Sequence, residues 1–290
     1  MQLDIFEHSR DLMLRNDVLH ALQRRDAAAA RTALSLLTAE YPLDTALPDL
    51  VRLLHALEQP SAPAFADLAA EAQVLRQLHD ELAPAAQRLL GGAEGATWMR
   101  PVWQQAARRS AAREFRTEHA DCHAAALWLL AGDAAAAATA VERIESWRRI
   151  PAPLEWMCEA RWRLQGLDAS WGLLAELAWL APTRLDALLQ RLADPLLLRL
   201  HRQFEAGFEA EGDTPAMAWF PAWMLTEKPA LAPLLGQAQP GLQTDAERAM
   251  RLLLDLLHLE RKGRQRELVA QRRRLRDLQP ALFRAYMATR

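Results

Sequence analysis

Two phrases decide the fold: Ala126-Leu-Trp-Leu-Leu-Ala-Gly132 and Ala160-Arg-Trp-Arg-Leu-Gln-Gly166, whose closing glycines stand 34 residues apart. Each is a tryptophan-bearing helical run stopped by glycine, the residue that best adopts the left-handed conformation ending a helix. After each glycine a second helical pattern runs to a proline, Pro151 or Pro182. A similar turn-to-proline distance recurs from Arg25-Asp26 to Pro42 and from Gly263 to Pro280. Short helices joined by such turns fold as antiparallel hairpins.

Composition agrees along the whole chain. Its 290 residues include 57 Ala and 53 Leu against 6 Val and 3 Ile. Alanine and leucine favour helix, whereas strands draw on β-branched residues, so a sheet-based fold is excluded. An apolar content of 51% with 25% charged residues excludes wholesale disorder. Apolar periodicity places a first helix after an N-cap at Ser9, with Leu12, Val18, Leu19 and Leu22 on one stripe, and a second from Asp26 to Tyr41. Further helices read at about 47–58, 64–82, 99–115, 117–131, 133–149, 153–165, 168–180, 183–193, 195–210, 244–261, 264–278 and 280–288.

The second-helix spacing resembles the tetratricopeptide repeat, which carries Ala-x3-Phe and a proline eight residues later. Ala30, Leu34 and Pro42 fit that spacing, as do Ser170, Leu174 and Pro182. Ala137 and Val141 fit its first part, although Pro151 comes two residues late, and Leu268 and Arg272 before Pro280 depart from it. Trp128 and Trp162 hold an aromatic place four residues before their turns. The resemblance implies an all-α, right-handed superhelical array of antiparallel hairpins, a tetratricopeptide-like solenoid. It divides into hairpins at 1–92, Trp-rich hairpins at 93–211, a Pro-rich irregular connection at 212–243 and a basic hairpin at 244–290, all in one continuous array.

Five prolines and three glycines in 212–243 predict irregular backbone there. All ten tryptophans lie between Trp98 and Trp223. Those on periodic segments read as packing between helices. Trp219, Phe220 and Trp223 fall in the irregular stretch and read as exposed anchors for a protein or peptide partner.

Net charge is −2, but residues 261–290 carry ten basic residues against Glu267 and Asp277, leaving the rest at −10. Arg264, Arg266, Arg272, Arg273, Arg274 and Arg276 are candidate polyanion contacts, so nucleic acid is a second possible partner. The acidic body and basic end could also meet between copies of the chain.

His119 and His123, four apart on the helix expected at 117–131, are the one pair spaced to chelate an ion, which makes a metal-dependent enzyme a further alternative. No second ligand pair lies nearby, no His-Glu-x-x-His occurs, and neither metal nor cofactor is assigned. Gly-x-Ser-x-Gly, phosphate loops and dinucleotide fingerprints are absent. Glu142, Glu145, Glu155 and Glu159 read as exposed helix faces paired with Arg148 and Arg149.

Cys122 and Cys158 are too few for a disulfide framework and read as reduced thiols. No secretory signal or membrane span is legible, so a cytoplasmic location is expected. The functional expectation is a non-enzymatic helical-repeat scaffold or adaptor that binds a protein or peptide.

Overall fold

The computed structural model describes residues 3–59, 63–241 and 243–290, the side chains of residues 3–9 excepted. Among the described residues every regular element is helical and no strand occurs. The chain forms two compact units, residues 1–133 and 134–290. The division falls inside the expected 93–211 segment, not at its ends.

The first unit contains α1 (Leu3–Gln23), α2 (Ala27–Glu40), α3 (Leu47–Glu58) and α4 (Leu68–Gln77). A π turn at Leu78–Leu82 carries α4 into α5 (Ala83–Leu90), and α6 (Gly92–Ser110) follows. A tight 3-10 stretch at Thr117–Cys122 then leads to α7 (Ala124–Leu130). Consecutive helices α1 and α2, α5 and α6, and α6 and α7 pack side by side. Their apolar stripes make one core from Val18, Leu22, Leu34, Leu37, Leu50, Leu53, Met99 and Trp103, among others. Gly95 lets α6 run close to α5, because a Cβ there would stand 2.7 Å from the Ala86 carbonyl oxygen.

The second unit contains α8 (Ala134–Glu142), α9 (Pro151–Gln165), α10 (Trp171–Leu180), α11 (Pro182–Leu192) and α12 (Pro195–Gly207). These are followed by α13 (Phe220–Glu227), α14 (Ala232–Leu235), α15 (Asp245–Arg261), α16 (Gln265–Leu278) and α17 (Pro280–Ala288). Helix α13 lies centrally, touching α10, α12, α15 and α17. Residues Pro151, Pro182, Pro195 and Pro280 each open a helix, where the missing N–H has no intrahelical partner to lose.

The four turns anticipated from sequence share one backbone feature. Arg25, Gly132, Gly166 and Gly263 all have positive φ, at 58°, 80°, 80° and 66°. Three of them close the same hydrogen-bonded motif at the helix end. In it the N–H of Asp26, Asp133 or Arg264 donates to the carbonyl of Ala21, Trp128 or Leu259, five residues back.

Residues 212–243 are more regular than expected. They hold α13, α14 and two 3-10 turns, at Ala216–Trp219 and Pro229–Leu231. Pro221 and Pro233 sit in the first turns of α13 and α14, where proline starts a helix and does not break it. Trp219, Phe220 and Trp223 are accordingly buried, at 2, 1 and 5% exposure. Phe204 packs edge-on to both Phe220 and Trp223, with centroids 5.3 and 5.4 Å away. These three aromatics hold the core together and offer no docking surface, which corrects the exposed-anchor reading.

Candidate functional site

Helix α1 ends at Gln23, and the chain turns through Arg25 in the left-handed region. Asp26 then caps α2, its carboxylate accepting the Ala29 N–H at 3.0 Å. Against this turn lies the first half of α6. The Trp98 indole N–H donates to the Leu22 carbonyl at 2.8 Å, tying α6 to the end of α1. Arg25 reaches back over the same ring, its Cζ 5.1 Å from the centroid, and donates from Nη1 to the Trp98 carbonyl at 2.9 Å. One turn earlier on α6, Glu94 accepts from the Gln23 amide at 3.1 Å.

These contacts frame an open cleft of about 530 Å³ lined by Gln23, Arg25, Leu90, Ala93, Glu94, Thr97, Trp98 and Pro101. That volume falls in the range of ligand pockets. Leu90, Trp98 and Pro101 give it an apolar wall. Pro101 is inside α6 and has no N–H, so the Thr97 carbonyl four residues earlier lacks its helical donor. Arg25 has no carboxylate partner among the described residues, and burial holds its pKa below the usual arginine value. The cleft thus offers a cationic donor, Arg25, and a carboxylate, Glu94, beside an apolar surface.

A second cleft, of about 360 Å³, includes Glu71, Arg113, Arg116, His119, Cys122 and His123 in its lining. Glu71 is fully buried on α4 and accepts a short hydrogen bond from the Ser110 hydroxyl at the end of α6. Arg113 Nε lies 2.7 Å from Glu71 Oε2, while its Nη2 donates to the Phe65 carbonyl at 2.9 Å. Arg109 stacks on the Phe65 ring at 3.7 Å and donates to the Pro63 carbonyl. The buried acid thus anchors arginines that clamp the 63–65 segment onto α6.

His119 and His123 meet at this cleft but not on one helix. His119 has φ −131° and ψ 37°, outside helical values, and lies in the 3-10 stretch. His123 is the N-cap of α7, its Nδ1 accepting the Ala125 N–H at 3.2 Å. The chelating i, i+4 geometry is therefore lost, because the chain kinks to cap α7. Burial drives the His123 pKa down to about 4 and leaves the ring neutral. Burial also raises the Cys122 thiol, reinforced by the charges of Glu71 and Asp121. Among the described residues no group of three or more His, Cys, Asp or Glu side chains is placed to hold a metal ion.

Three of the six arginines singled out at the basic end are ion-paired. Arg264 pairs with Glu267 at 3.2 Å, Arg272 with Glu260 at 3.2 Å, and Arg276 with Asp277 at 3.2 Å. Arg274 donates to the Gln271 amide oxygen at 3.4 Å. Arg266 and Arg273 are exposed and have no ion-pair partner among the described residues.

The acids of α9 also differ from expectation. Glu155 and Glu159 are buried, and Arg191 of α11 bridges them at 2.7 and 3.0 Å. Arg184 adds a 2.6 Å contact to Glu155. Arg148 pairs with Glu176 at 2.7 Å and not with the α9 acids, while the Gln239 N–H donates to the same carboxylate at 2.8 Å. Arg163, on α9 itself, adds a 2.5 Å contact to Glu159, so the two buried acids are held by arginines of α9 and α11 together.

No family model, curated protein sequence or solved structure matches the chain. No helix among the described residues is long and apolar enough to cross a membrane.

Proposed function

We propose that the protein is a non-enzymatic interaction module that holds an extended peptide segment of a protein partner in the Arg25–Trp98 cleft. The observation that carries this reading is Arg25, a half-buried guanidinium with no ion-pair partner among the described residues, beside the apolar wall of Leu90, Trp98 and Pro101. A peptide supplies both complements: a polar or charged side chain and apolar bulk. The hairpins around it are degenerate units of the tetratricopeptide kind, a reading supported by the shared positive-φ turns at Arg25, Gly132, Gly166 and Gly263.

Thr97→Trp tests the proposal. Thr97 is exposed on α6, so a larger side chain fills the cleft without entering the core. Tagged wild-type protein is expected to retain a polypeptide that the Thr97→Trp protein loses at unchanged melting temperature. Equal retention by both would remove the cleft as the binding site.

A further inference from the structure

We infer that the occupant of the Arg25–Trp98 cleft is recognised by its carboxylate, an internal Asp or Glu side chain with an apolar residue beside it. The inference rests on the reading of the cleft as a peptide site and adds the chemistry of the partner.

Arg25 is half-buried and uses one N–H on the Trp98 carbonyl. Its guanidinium has five N–H donors, so most of its fork is left for a ligand. The ring of Trp98 fixes its plane from one side, which suits the planar two-point recognition of a carboxylate. The only other ionisable group lining the cleft is Glu94, held by the Gln23 amide. Glu94 is bonded to Gln23 and not to Arg25, so the free part of the Arg25 fork is open to an incoming anion.

The backbone adds a second observation. Arg25 has φ 58°, a conformation that costs a non-glycine residue free energy, at the turn position where α7 and α15 are followed by Gly132 and Gly263. The turn thus projects a long cationic side chain where the fold elsewhere uses none. Leu90 and Pro101 receive an apolar neighbour of the acid. The cleft is open to solvent, and its occupant is taken as an internal side chain of a peptide, with the chain end as the alternative to be tested.

Three immobilised pools of nine-residue peptides provide the test. The first two are acetylated and amidated, with central Glu-Leu or Gln-Leu and mixed flanking residues. The third ends in Gln-Leu with a free carboxylate. Wild-type protein is expected to be retained on the Glu-Leu pool on the order of tenfold more than on either other pool. Arg25→Gly, which relieves the backbone while removing the guanidinium, is expected to abolish that preference with the melting temperature unchanged. Arg25→Gln serves the same purpose should the glycine variant not fold. Equal retention on the Glu-Leu and Gln-Leu pools, or a preference surviving in the Arg25 variants, overturns the carboxylate inference and leaves the peptide reading standing. Preference for the free-carboxylate pool overturns the internal acid. Retention on none of the pools overturns both the inference and the reading beneath it.

Discussion

Arg113 Nε lies 2.7 Å from Glu71 Oε2 inside the first unit, yet neither atom makes a directed hydrogen bond with any group of the described residues. The pair is held by charge and by its neighbours, Ser110 on one side and the Phe65 carbonyl on the other. Removing one member of a buried pair leaves the other desolvated and uncompensated. Glu71→Ala is therefore expected to destabilise the protein by about 3 kcal/mol in urea unfolding. Glu71→Gln keeps an acceptor for Ser110 and is expected to cost less. A Glu71→Ala protein as stable as the wild type would show that the pair holds nothing in place.

The buried His123 makes stability depend on pH. Its folded pKa of about 4 lies below the ordinary value of 6.5, so the folded state prefers the neutral ring. Unfolding takes up a proton between those two values, and stability falls as pH drops through that window. The loss between pH 7 and pH 5 is expected to be about 2 kcal/mol from this residue. Asparagine caps helices well, so His123→Asn should keep the α7 cap while flattening that slope in denaturant titrations at the two pH values. A variant with the wild-type slope would assign the effect to other groups.

Two nearby glycines should respond in opposite directions. At Gly95 a methyl group would meet the Ala86 carbonyl at 2.7 Å, so Gly95→Ala is expected to lower stability by about 1–3 kcal/mol. At Gly92 nothing lies within 4 Å and φ is not positive, so Gly92→Ala is expected to raise it by about 0.5 kcal/mol. Thermal unfolding of both variants checks the close passage of α5 and α6.

Trp219 and Trp223 are expected to act through the core of the second unit. Trp219→Ala should destabilise by about 3–5 kcal/mol, the range for deleting a buried large aromatic. Partner retention by the still-folded protein at low temperature should be unchanged. Lost binding at full stability would restore the docking role that their burial argues against.

Much of the helical order was legible because it is local. The predicted 47–58, 153–165, 264–278 and 280–288 agree within about two residues with α3, α9, α16 and α17, each bounded by turn or proline chemistry. The 212–243 segment was misread because a proline count does not show whether each proline interrupts a helix or opens one, and Pro221 opens one. The kink at His119 was equally hidden, since it follows from His123 capping α7.

The sites were less legible because they join residues distant in sequence. Arg25 and Trp98 are 73 positions apart, and Glu71 and Ser110 are 39 apart. A faint signal existed for the second pair. Glu71 lies one helical turn before Leu75, and Ser110 follows Trp103 and Ala107, so each is a polar residue on an apolar stripe. For Arg25 the signal was an arginine at a turn whose counterparts use glycine. That oddity becomes chemical only when folding brings α6 against it.

Hydrogen exchange of the full chain, with and without a Glu-Leu peptide retained from the pool, tests the central claim most directly. The account predicts slowed exchange at residues 23–26 and 92–101, where the α1–α2 turn and α6 line the cleft. Protection confined to 264–278, the basic helix α16, or no protection at 92–101 would contradict it.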